Sequence, residues 1–97
     1  MSILDDVLAE EYERLTRMKT RMQEEYLSLP KGYLSRKVIR GYECYYFQHR
    51  EGNKVVGSYV REEDVPKYVE LIDRRRSLKK SINDINKQLK KLERAIK

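Results

Sequence analysis

Tryptophan is absent from this sequence, and cysteine and histidine occur once each, as Cys44 and His49. A lone cysteine forms no internal disulfide, and one His with one Cys does not make a zinc site. His49 stands beside Arg50 with no Ser, Cys or Asp spaced to complete a nucleophilic triad, and no Glu-x-x-His pair occurs. The four glycines, Gly32, Gly41, Gly52 and Gly57, are scattered and form no phosphate-cradling loop. The expectation is therefore a non-enzymatic protein with no catalytic residues, no metal and no cofactor. No apolar run reaches the length of a membrane span. The start, MSILDDVLAEEYERL, is acidic and amphipathic, unlike a secretory signal. A cytoplasmic protein without membrane contact is the expected setting.

Charge is what the chain has in abundance. Asp, Glu, Lys and Arg make up 39% of it, and the formal net charge is +6. The excess is uneven: residues 1–25 carry −3, 26–63 carry +3, 64–73 carry −2 and 74–97 carry +8. An acidic head and a strongly basic tail lie behind the moderate total.

Proline and glycine cluster around the middle of the chain, leaving two uninterrupted helical patterns outside it. The spacing predicts a helix over 2–28, with Ser2 as N-cap and Asp5 and Asp6 at the positive end of its dipole. Leu4, Leu8, Glu11, Leu15, Met18, Met22, Glu25 and Leu29 follow one another in steps of four and three, the coiled-coil repeat. Glu11 and Glu25 are expected to flank the stripe or to meet a cation from a partner helix. A second helix is predicted over 63–96, with Pro66 in its first turn. Its seam runs Leu71, Arg75, Leu78, Ile82, Ile85, Leu89, Leu92 and Ile96. Antiparallel pairing is expected to put Leu15 and Met18 near Leu78 or Ile82. It also sets Asp5, Asp6, Glu10 and Glu13 toward Lys87–Arg94. The second helix is predicted to be the longer, so Leu92 and Ile96 would require the N-terminus of the first helix or a second subunit, and a homodimer is expected.

Between the helices, Pro30-Lys31-Gly32 is a stop-and-turn signal. Strands are predicted over 33–40, 42–50 and 54–60, divided by Gly41 and by Glu51-Gly52-Asn53. Gly57 points to a bulge or a close backbone approach. Two tight turns make an antiparallel meander the simplest connection. The resulting fold class is α+β, a single domain over 1–97 with order α-β-β-β-α and an antiparallel coiled-coil hairpin. Alternation sends Cys44, Tyr46 and Gln48 to one face and Tyr45, Phe47 and His49 to the other. Both faces are aromatic, so the pattern leaves the packed side open.

Two functional classes remain. In the first, DNA or RNA is contacted by the basic, aromatic sheet and the start of the second helix. Its residues are Arg36, Lys37, Arg40, Tyr45, His49, Arg50, Lys54, Arg61, Arg74 and Arg76. In the second, the chain is a protein-interaction or accessory module acting through its helical hairpin, without nucleic acid.

The pattern Leu29-Pro30-Lys31-Gly32-x-Leu34, then Arg40-Gly41-x-x-x-Tyr45-Tyr46-x-x-x-Arg50-x-Gly52-x-Lys54 and Tyr59-Val60, resembles a group of small uncharacterised prokaryotic and phage proteins. Strands two and three are also similar to the three-stranded DNA-binding arm ahead of tyrosine recombinase catalytic domains. That resemblance implies sheet-mediated DNA contact through Arg36, Arg50 and Lys54.

Overall fold

The computed structural model describes residues 3–96. Ser2, expected as an N-cap, and Lys97, the end of the basic tail, lie outside the described residues. The element order is α1 (Ile3–Ser28), β1 (Tyr33–Ile39), β2 (Tyr42–Glu51), β3 (Lys54–Val60), a 3-10 turn (Glu62–Asp64) and α2 (Val65–Ile96). This is the α-β-β-β-α order expected. The strand ends move by a residue, and the second helix opens with the 3-10 turn before Val65. In that turn the Asp64 amide donates to the Arg61 carbonyl at 2.9 Å. Pro66 then falls in the first turn of α2, where its missing N–H leaves no helical bond unmade. Among the described residues no helix is long and apolar enough to cross a membrane.

The chain divides into two compact units, residues 1–28 with 76–97, and residues 29–75. The first is a pair of helices. Leu15 of α1 is buried with Ile85 and Leu89 of α2, and Tyr12, Met18, Met22 and Leu92 pack around them. Burying an aliphatic side chain of this size is worth about 1.5–3 kcal/mol, so these few residues supply much of the pair's stability. Tyr12 Oη donates to Glu93 Oε1 at 3.0 Å, joining the first half of α1 to the end of α2. At the opposite end Gln23, Tyr26 and Leu27 line a depression with Lys79 and Ile82. The helices are therefore antiparallel.

Their register differs from the expected one. Leu15 meets Ile85 and Leu89, not Leu78 or Ile82, a slip of about one heptad. The first eleven residues of α2 belong to the other unit, which leaves residues 76–96, a stretch shorter than α1, beside it. Leu92 is consequently packed within the pair and needs no second subunit, while Ile96 stays 43% exposed. Glu11 does not reach across to a partner-helix cation. It binds Arg14 on its own helix, with Nε to Oε2 at 3.0 Å, and this contact holds the Glu11 carboxyl below its ordinary range. Glu13 likewise pairs with Arg17 one turn on, at 4.0 Å.

The second unit is an antiparallel sheet in the order β1-β2-β3. Both hairpins have two-residue loops. Arg40 and Gly41 take φ of 52° and 84°, the type I′ pattern, and Gly52 at 60° starts the second turn. Such turns match the right-handed twist of the strands they join. Gly32 is fixed by a close approach: a Cβ there would lie 2.5 Å from the Gln48 carbonyl oxygen and 2.6 Å from Phe47 Cζ. Gly57 marks no bulge, since the β2–β3 register runs unbroken through its pairing with Gln48. The Gln48 side chain lies over it instead.

Candidate nucleic-acid interface

Directly paired residues on neighbouring strands share a face, so the register sorts every strand residue. One face takes Leu34, Arg36 and Val38 from β1, Glu43, Tyr45, Phe47, His49 and Glu51 from β2, and Lys54, Val56, Ser58 and Val60 from β3. The start of α2 covers part of it. The Phe47 and Tyr68 rings lie 5.2 Å apart, Pro30 and Leu71 complete their surroundings, and Tyr45 borders a depression with Val65 and Pro66. Val60, the one buried side chain of the sheet, is on this side.

The opposite face takes Tyr33, Ser35, Lys37 and Ile39, then Tyr42, Cys44, Tyr46, Gln48 and Arg50, then Val55, Gly57 and Tyr59. It is the open side. Tyr42 is 77% exposed and Tyr59 63%, with Tyr33 and Val55 also largely exposed. Tyr46 and Tyr59, paired across strands, meet edge to face at 5.9 Å. Lys37 Nζ stands 5.1 Å from the centre of the Tyr46 ring, within cation–π range.

Charge divides the same way. Both sheet carboxylates lie on the helix-covered face and are engaged there: Glu43 pairs with Arg36, and Glu51 lies 3.0 Å from His49 Nε2. The strand residues of the open face include no Asp or Glu and two cations, Lys37 and Arg50. Neither cation enters an ion pair among the described residues.

The ten residues expected at a nucleic-acid surface therefore do not share one. Lys37 and Arg50 are on the open face, while Arg36, Tyr45, His49 and Lys54 are on the covered one. Arg40 is at the β1–β2 turn, and Arg61, past β3, lies 3.8 Å from Glu63. Arg74 and Arg76 are both exposed but fall in different units. The sequence reading missed Tyr33, Tyr42 and Tyr59, the most exposed aromatics of the open face. Their spacing about the two turns carried the signal, because Tyr42 and Tyr46 are four apart on one strand and Tyr59 pairs with Tyr46.

Residues 3–70 match a domain of unknown function, DUF6788. The chain belongs to that family. No curated protein and no solved structure matches it. The DUF6788 match takes in α1, the whole sheet and the first turns of α2, hence every residue of the open face. It stops before Arg74, so the run of charge over 74–97 lies beyond it.

Proposed function

We propose that the protein binds nucleic acid, with the open face of the sheet as its contact surface. The observation that carries this reading is the segregation of charge: four tyrosines and two cations outside any ion pair among the described residues share a face whose strand residues include no carboxylate. Cations neutralise phosphates and aromatic faces stack on bases, so this combination suits a polynucleotide. Arg40, in the β1–β2 turn beside Tyr42, adds a third cation near this face, its positive φ being what the type I′ turn requires. Of the three residues behind the likeness to the recombinase arm, only Arg50 is on the open face, so the proposed contact is not that arm transplanted.

The test is titration of labelled DNA and RNA, single-stranded and duplex, at low salt. Lys37→Glu with Arg50→Glu should weaken the tightest complex by about tenfold or more. Reversal of Lys87, Lys90 and Lys91 should leave it within a few-fold. Loss confined to the tail variant, or no binding to any of the four, overturns the reading.

One observation favours a second role, for the helices. Ile3, Leu4 and Val7 on α1 are exposed, at 83%, 66% and 53%. Exposed apolar residues at heptad spacing suit further coiled-coil pairing, with another protein or a second copy of the chain. Light scattering of the wild type against Leu4→Lys with Val7→Lys tests this, and an unchanged molar mass with no lost partner removes it.

A further inference from the structure

Resting on the nucleic-acid reading, we infer that the occupant of the open face is an unpaired strand, held by base stacking on Tyr42 and Tyr59, and not a duplex. The proportion of rings to cations carries the argument. A duplex keeps its bases stacked on one another and offers a protein phosphates and groove edges, so cations dominate its contacts. The open face has two cations among its strand residues against four tyrosines, two of them more than three-fifths exposed. Exposed rings gain from a polynucleotide only when its bases are free to lie on them, and each stacked base adds substantial affinity.

The placement of the rings suits a strand crossing the sheet. Residues two apart on one face of a strand are separated by about 7 Å, and neighbouring strands by about 4.8 Å. Tyr42 and Tyr46 therefore stand about 13 Å apart along β2, with Tyr59 next to Tyr46 on β3. The edge-to-face contact of Tyr46 with Tyr59 sets their planes at 74°, so the two rings cannot both stack on the same base. Lys37, near the Tyr46 ring, and Arg50, further along β2, can meet phosphates on either side of those bases. No feature of this contact depends on the sugar.

The experiment is fluorescence anisotropy with one labelled 12-nucleotide sequence as RNA strand, DNA strand and DNA duplex, across a salt series. The strands should bind within a few-fold of each other and at least tenfold tighter than the duplex. Each phosphate neutralised on a single strand contributes about 0.7 to the slope of log affinity against log salt. Lys37 and Arg50 alone give a slope of about −1.4, and about −2.1 with Arg40, whereas capture by the ten cations of the tail would give one near −7. Tyr42→Ala and Tyr59→Ala should each weaken the strand complex about fivefold or more, and Tyr59→Phe, which keeps the ring, should restore most of it. Both sites are exposed, and circular dichroism checks that the variants fold. Duplex bound as tightly as strand, with tyrosine variants unaffected, overturns stacking and leaves nucleic-acid binding standing. No binding in any arm overturns both.

Discussion

The helix pair and the sheet unit differ in how many apolar side chains they bury. The pair has the larger buried set, Leu15, Leu78, Ile85 and Leu89, although Ile3, Leu4, Val7 and Leu27 of α1 stay exposed. The sheet unit buries Val60 alone and leaves Tyr33, Val38, Ile39, Tyr42, Val55 and Tyr59 in the open. Residues committed to a core are unavailable to a partner, whereas exposed apolar residues that share one face can form a contact surface. The larger core lies in the helix pair, and under the proposed function the exposed sheet face is the contact surface.

The sharpest way to break that comparison is Leu15→Ala or Ile85→Ala. Each should lower stability by about 2–5 kcal/mol in urea unfolding followed at 222 nm. An unchanged midpoint would mean that the helix pair is not where stability resides. Next in size is Gly32→Ala, which drives a methyl into the Phe47 ring and the Gln48 carbonyl. It should remove about 1–3 kcal/mol, read from the same unfolding curves. Tolerance of this change would show that the covered face is loosely packed.

Arg40→Gly sharpens the comparison from the other side. Relief of the positive φ should raise stability by about 1 kcal/mol while polynucleotide affinity falls. A gain in both would remove Arg40 from the contact surface. The smallest effect is expected of Tyr12→Phe, with a distinctive pH dependence. The Glu93 carboxylate, accepting the phenolic hydrogen bond, raises the Tyr12 phenol above its ordinary value. Its contribution is therefore fully present below about pH 10 and is lost as pH rises through the raised value. The melting temperatures of wild type and Tyr12→Phe should differ slightly at pH 8 and converge at strongly alkaline pH. Glu11 runs the other way: its carboxyl is lowered by Arg14, so that contribution is lost as pH falls below the ordinary carboxylate range.

Much of the fold was legible because its signals are local. Unbroken steps of four and three marked the helices, and Gly41 and Gly52 marked turns where the structure has positive φ. Helix register was not legible, because a heptad seam slid by seven residues looks the same to itself. Leu15 could face Leu78 or Ile85 on pattern alone, and only the length of α2 committed to the sheet unit separates the two. The choice of sheet face was hidden for a related reason. β2 carries aromatics at successive positions, so alternation favours neither side, and the decision comes from Tyr68 and Gly32, distant in sequence from Phe47. Residue type does not reveal which face of the sheet a side chain takes. Arg36 and His49 look available in the sequence, yet each has a carboxylate neighbour on the covered side.

The missing tryptophan has one more consequence. Ultraviolet emission from this chain comes from tyrosine alone, and Tyr33, Tyr42, Tyr45, Tyr46, Tyr59 and Tyr68 lie in the sheet unit, against Tyr12 and Tyr26 outside it. The molecule thus carries its own optical reporter, weighted toward the unit that holds the proposed contact surface and readable without a dye.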